Sequence, residues 1–279
     1  MTWHLTSDVL LFEKTIGPFL RSAPVRHTLL LTVTAALRLR GPHVYGPHDP
    51  ILGWWTDDST GAICGALLRT PPHPLTLTEV PPEALSAAAS AFVSHPLTAV
   101  NLLAADAPAF TEAWLSLAGG VARAGRRTRL FRLSGLEEPT VPGTARLATS
   151  ADRLLLHHWS RAFHDDIDEQ PGDLGATIDD RLSYQGIVLW ESAGTPVSMA
   201  AYSRIESGMA RIQSVYTPPE HRRQGFGGAV TAAATGNALD AGAIDVVLFT
   251  DVANPTSNAL YQRLGYRPIE DRVVVEFSS

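Results

Sequence analysis

Between Val215-Tyr216-Thr217 and the alanine-rich run that opens at Ala229 lie Arg222, Arg223, Gln224, Gly225, Phe226, Gly227 and Gly228. A strand that turns through glycines into a helix leaves the first-turn amides without intrahelical partners, and those N–H groups can point at an anion. Gly225 and Gly227 have no side chain to hold a phosphate away from the backbone. Arg222 adds positive charge at the same edge. The chemistry this pattern suits is the capture of a pyrophosphate-bearing molecule.

Further along comes Asn254-Pro255-Thr256-Ser257-Asn258-Ala259-Leu260-Tyr261-Gln262-Arg263-Leu264-Gly265-Tyr266, separated from the first stretch by the apolar run Asp245 to Thr250. Arg222-x-x-Gly225-x-Gly227 after Pro219 resembles the acyl-CoA loop of the GNAT N-acetyltransferase superfamily. The later stretch, with its Asn, its Leu-Tyr pair and its closing Leu-Gly-aromatic turn, resembles that family's next helix. The resemblance is specific over about 144–277 and only architectural before it.

It implies acetyl-CoA as donor and transfer of the acetyl group to a primary amine by direct attack in a ternary complex. It also implies that the strand before the cradle splays from its parallel neighbour, so that the pantetheine arm pairs with Val215, Tyr216 and Thr217 as an added strand would. Arg222, Arg223, Gln224, Gly225, Phe226, Gly227, Gly228, Asn254, Ser257 and Tyr261 are then cofactor contacts. Tyr261 falls where the family places a phenol near the thioester sulfur, able to donate a proton to the departing thiolate.

No such assignment exists for the base. Ala210 to Val215 contains no carboxylate; Glu206, on the neighbouring strand, is a catalytic candidate, and Gln213 or Ser214 holding a water is an equal one. Asp165, Asp166, Asp168 and Glu169 lie in a segment that borders the acceptor pocket in the family. They would draw in a cationic amine, or simply form a solvated, helix-capping loop.

Ordinary structural roles stand beside these. Tyr261 also fits a helix aromatic packed on a sheet, and Asn254 fits a plain helix cap. His157, His158 and His164, and separately His43 and His48, lack the matched ligands of a metal site, and no metal is expected. Cys64 is the sole cysteine, in an apolar run that suits a buried thiol. Gly225 to Val230 fails as a dinucleotide fingerprint, because Val230 takes the third small-residue position and Asp245 precedes its strand.

The elements that must position these residues are legible from about Thr144. A strand at 144–149 leads to a helix capped by Ser150 or Asp152 and running to Phe163, with Leu154, Leu155, Trp159 and Phe163 at helical spacing. A second helix spans 174–184, and strands at 187–190, 197–205 and 210–217 form an antiparallel meander turning at Ala193-Gly194 and Ser207-Gly208. A helix to about Ala241, the strand 245–250, a last helix and a strand at 273–277 follow.

The first half echoes this order. Helices at 9–19 and 27–39 precede strands at 51–55, 62–69 and 75–80, a helix at 83–93, a strand at 100–104, a helix at 109–117 and a strand at 128–133. Ala66-Leu67-Leu68-Arg69 parallels Ala201-Tyr202-Ser203-Arg204, and Pro108 precedes Trp114 as Pro255 precedes Tyr261. Val80-Pro81-Pro82-Glu83-Ala84 stands where the cradle would be, without paired glycines or a basic residue. The expected fold class is α+β, three-layer α/β/α with a mixed sheet, in two GNAT-like domains. They cover 1–136, a degenerate copy, and 144–279, joined by a linker at 137–143.

Size agrees with two units, since 279 residues exceed the usual single domain. A net charge of −6 argues against a nucleic-acid partner. One cysteine, no signal-like start and no long apolar run point to a cytoplasmic protein without a membrane partner. The rival reading is a non-catalytic acyl-CoA sensor, which the missing strand carboxylate favours and Tyr261 disfavours.

Overall fold

The computed structural model describes residues 2–169 and 172–278. The chain divides into two compact units, residues 1–130, 251–253 and 270–279 in the first and 131–250 and 254–269 in the second.

In chain order the first part comprises β1 (Thr2–Thr6), α1 (Val9–Ser22), α2 (Thr28–Arg40), β2 (Ile51–Thr56), β3 (Ile63–Arg69), β4 (Leu75–Leu77), α3 (Pro82–Phe92), β5 (Ala99–Leu103), α4 (Ala107–Ala118) and β6 (Val121–Leu133). Then follow β7 (Thr144–Leu147), α5 (Arg153–Asp166), α6 (Leu174–Ser183), β8 (Ile187–Ser192), β9 (Thr195–Tyr202), β10 (Met209–Tyr216), α7 (Phe226–Asp240), β11 (Asp245–Asp251), α8 (Pro255–Arg263) and β12 (Tyr266–Ser278).

Within the first unit β1, β2, β3 and β4 pair antiparallel in sequence order. β4 pairs parallel with β5. β5 then pairs antiparallel with β12 over Ala99–Leu103 and Arg272–Glu276. Trp55, Leu67, Phe92, Phe110, Trp114, Val273 and Val275 share one core. Strand β1 has no counterpart in the sequence reading, because five residues with one alternation offer too little periodicity to mark a strand.

The second unit repeats the plan, with β7, β8, β9 and β10 antiparallel and β11 parallel to β10. Strand alternation sends successive side chains to opposite faces. Val188, Ala200, Tyr202 and Ile212 therefore pack with Val230, Ala234 and Ala238 of α7. Ile187, Leu189, Met199 and Ala201 face Leu156, Trp159 and Ile178 of α5 and α6. That is the expected three-layer arrangement. α7 is apolar or small nearly all round because its Ala, Gly and Thr residues are buried on most sides.

Asp152, one of the two expected caps, is the N-cap residue of α5, but its carboxylate makes no capping bond to that helix. Thr149 is the cap of a short 3₁₀ turn, Ser150–Asp152, in a reciprocal capping box with Asp152. The Asp152 carboxylate also accepts two hydrogen bonds from Arg146, both 2.8 Å. These donors hold the carboxyl down at about 2, Arg146 contributing most. Since the unfolded carboxyl titrates near 3.8, its stabilising contribution is complete above that value and is lost as pH falls through about 2. Asp152→Asn should therefore lower the thermal midpoint at pH 7 and lose that deficit toward pH 2, which melting curves across pH will check.

Candidate active site

β10 pairs with β11 only from Met209–Asp245 to Ile212–Leu248. Beyond Ile212 the two strands part, so the backbone of Gln213 to Tyr216 presents an edge that β11 does not occupy. On the other side the register against β9 shifts between Gln213 and Tyr216, and Ser214 has φ +51°. This is a bulge, in which an extra residue breaks strict alternation and re-aims side chains. Gln213 and Ser214, which a regular strand would send to opposite faces, both accept from the guanidinium of Arg181 on α6, at 3.3 and 3.1 Å.

The two residues after the bulge are fixed by their neighbours. Tyr216 is buried against Trp159, ring centroids 6.2 Å apart. Ser198 Oγ donates to the Tyr216 carbonyl at 2.9 Å and lies 2.8 Å from Thr217 Oγ1.

Residues 217–225 form the turn into α7. Gly225 has φ +87°, a left-handed conformation that favours glycine. Among the described residues the N–H groups of Arg223, Gln224, Gly225, Phe226 and Gly227 have no hydrogen-bond partner, whereas those of Gly228 and Ala229 return to the Gly225 carbonyl at 3.0 Å. Five consecutive unpaired donors at the positive end of a helix form an anion cradle. A Cβ placed on Gly227 would meet only Thr217 Oγ1, at 3.4 Å, so the space in front of those amides is open and the residues fit a pyrophosphate.

The other residues expected at the cradle divide by role. Gly228 is a packing glycine, since a Cβ there would come within 2.9 Å of Leu260 on α8. The Phe226 side chain is buried, leaving its backbone to face the opening. Arg223 has φ +62° and an exposed side chain, and Gln224 turns back to the Glu220 carbonyl at 3.4 Å. Arg222 donates to the Thr217 carbonyl at 2.9 Å and to Asp166 at 2.5 Å. It thereby ties the turn to the end of α5, and of the acidic run Asp166 is engaged in this way.

On α8, Asn254 caps the helix by accepting from the Ser257 amide at 3.0 Å. Tyr261 lies one face inward, its ring near Phe131 and edge-on to Tyr266 at 6.3 Å. Burial pushes its phenol up to about 12, so it is a neutral proton donor throughout the physiological range.

Glu206 does not join this group. It belongs to the tight turn Glu206-Ser207-Gly208-Met209, where its N–H and carbonyl pair with Met209 at 2.9 and 3.0 Å. That turn enters β10 at Met209, five residues before Ser214 of the bulge; at about 3.3 Å per residue the strand holds them roughly 16 Å apart. Glu206 therefore sits apart from the open strand edge. What sequence reasoning missed is Arg181, for which its surroundings in the sequence give no signal.

Among the described residues no group of three or more His, Cys, Asp or Glu could hold a metal ion. Nor is any helix there long and apolar enough to cross a membrane. Burial pushes the Cys64 thiol up, away from a reactive thiolate. His164 is lowered chiefly by burial and stays neutral at pH 7.

The first unit lacks the equivalent opening. β4 and β5 pair in parallel at Leu75–Val100 and Thr76–Asn101. Where that pairing ends, the buried guanidinium of Arg272 donates to the carbonyls of Leu77 at 2.5 Å and Asn101 at 3.1 Å and to Asn101 Oδ1 at 3.2 Å. Only residues 78–81 join β4 to α3, and Pro82, which has no N–H, opens that helix. Among the described residues that connection leaves no run of free amides as long as the second unit's, and Arg272 fills the strand opening.

Residues 150–266 match the acetyltransferase (GNAT) family model. Among solved structures, the chain is similar to a GCN5-related N-acetyltransferase from Kribbella flavida at 23% identity, with 95% of this chain and 96% of that one covered and a TM-score of 0.56. An acetyltransferase of the GNAT family from Colwellia psychrerythraea gives 10% identity, complete coverage of both chains at 100%, and a TM-score of 0.62. A tandem GNAT protein from the clavulanic acid biosynthesis pathway gives 12% identity, 99% and 98% coverage, and 0.55. No curated protein matches the chain. The cradle lies inside the segment that matches the acetyltransferase (GNAT) family model, and the whole chain has the fold of these tandem and GNAT structures.

Proposed function

We propose that the second unit transfers an acetyl group from acetyl-CoA to a primary amine by direct attack in a ternary complex. The observation that carries this reading is the run of free amides from Arg223 to Gly227, set at the end of a strand edge that β11 leaves open. Acetyl-CoA, when bound, supplies the electrophilic thioester. The cradle amides hold its pyrophosphate, and the N–H groups between Ser214 and Tyr216 offer ladder bonds to the pantetheine arm. One of them would polarise the thioester oxygen.

The attacking amine forms the new C–N bond as the C–S bond breaks. Tyr261 donates its phenolic proton to the departing sulfur, the proton lost by the amine goes to water, and water returns a proton to the Tyr261 phenolate. Gln213 and Ser214 supply no carboxylate for that last step, which leaves solvent as the acceptor. The compartment we infer is the cytoplasm, and the acceptor is a primary amine.

Calorimetry with acetyl-CoA should give one site per chain, since among the described residues it is the second unit that has a cradle and an open edge. Two equivalent sites would overturn the division of labour between the units. Release of CoA thiol in the presence of an amine panel, absent without amine, tests transfer itself. The lack of a carboxylate on β10 favours one rival, a non-catalytic acyl-CoA-binding protein. That rival expects tight binding with no amine-dependent thiol release.

A further inference from the structure

We infer that Arg181 is a positioning residue for acyl transfer, fixing the β10 bulge whose backbone N–H meets the thioester oxygen. The inference rests on reading the second unit as an acyl-CoA site. Ser214 has φ +51°, a conformation that costs free energy for any residue with a Cβ and persists only where the surroundings hold it. The hold visible here is one guanidinium bonded to two consecutive side chains, Ser214 Oγ at 3.1 Å and Gln213 Oε1 at 3.3 Å.

Arg suits this task because its planar fork fixes two acceptors at once, which a lysine ammonium does less rigidly. Arg181 sits near the end of α6, packed by Ile178 into the core under Met199 and Tyr216. The fork is therefore anchored on a rigid element. The bulge lies at the end of the open edge away from the cradle, where an arm that starts at the cradle and runs back along β10 delivers its acyl end. A backbone N–H presented there must be held to within a fraction of an ångström to polarise a carbonyl. Without the fork, Ser214 can relax toward an ordinary strand conformation and turn its N–H away.

The test is isotope-edited infrared spectroscopy of acetyl-CoA labelled with ¹³C at the acetyl carbonyl. Wild type, Arg181→Met, Arg181→Lys and the double variant Arg181→Met with Ser214→Gly are compared, each with its affinity for unlabelled acetyl-CoA. In wild type the carbonyl band should shift to lower frequency on binding. Arg181→Met should bind acetyl-CoA within about threefold of wild type, because the cradle is untouched. Its band should return most of the way to the free position, with partial recovery in Arg181→Lys.

Glycine adopts positive φ without penalty, so the double variant should regain the shift with no guanidinium present, which a merely stabilising Arg181 would not allow. An unchanged band in Arg181→Met, or no recovery in the double variant, overturns the inference while leaving acetyl-CoA binding intact. Failure of wild type to bind acetyl-CoA overturns the proposed function and this inference together. If Arg181→Met does not fold, Arg181→Lys, alone and combined with Ser214→Gly, carries the comparison.

Discussion

Gly227→Val will bind acetyl-CoA on the order of 10²-fold more weakly than wild type, or not measurably, while keeping its fold. Charge-assisted hydrogen bonds to an anion contribute about 1.5–3 kcal/mol each, and a branched side chain in front of the amides displaces at least one phosphate oxygen from its donors. The fold should survive because the first atom added at this position meets only Thr217 Oγ1, at 3.4 Å, and Gly227 is in the first turn of α7 without positive φ. Calorimetry gives the affinity and circular dichroism the fold. Gly228→Val is the informative contrast, since its Cβ would meet Leu260 at 2.9 Å. That variant should lose stability as well as binding. A folded Gly227→Val protein with normal affinity would remove the pyrophosphate from this loop.

Tyr261→Phe should bind acetyl-CoA nearly as well as wild type and turn over roughly 10²-fold more slowly, the usual scale for losing a positioned general acid. The substitution deletes one oxygen and keeps the ring against Phe131 and Tyr266. The pH dependence separates this role from others. Burial raises the Tyr261 phenol to about 12, so the proton remains available below that value, and no alkaline fall in turnover between pH 7 and 10 should belong to Tyr261.

The same shift has a stability consequence of definite sign. A phenol raised above its unfolded value of 10 contributes stability that is complete below pH 10 and lost as pH rises through about 12. Stopped-flow or steady-state turnover across pH, with melting curves on the same variants, tests both expectations. Turnover of Tyr261→Phe at the parent rate would assign protonation of the thiolate to solvent.

The sequence by itself determined the cradle and the helix that follows it. Both are contiguous, and contiguous residues set local backbone conformation: Gly225 permits the left-handed turn, Asn254 caps α8, and the spacing from Asn254 to Tyr261 turns the phenol toward the core. Alternation along β8 and β9 likewise dictated which side chains face α7 and which face α5 and α6, because a strand has only two faces.

Tertiary structure decided everything that depends on residues distant in the chain. Arg222, read locally as charge for a phosphate, pairs with Asp166, 56 residues away. Arg181 holds Ser214 across 33 residues, and no spacing rule connects α6 with the middle of β10. Glu206 is close to the cradle in sequence, yet the extended strand between them carries it to the opposite end. Arg272 reaches the Leu77 carbonyl across 195 residues, closing in the first unit the strand opening that the second keeps. Turns and caps are settled by steric limits on a few neighbouring dihedrals, so they can be read along the chain. Which side chain meets a distant backbone group is settled by how helices and strands pack, and that pairing exists only in the folded protein.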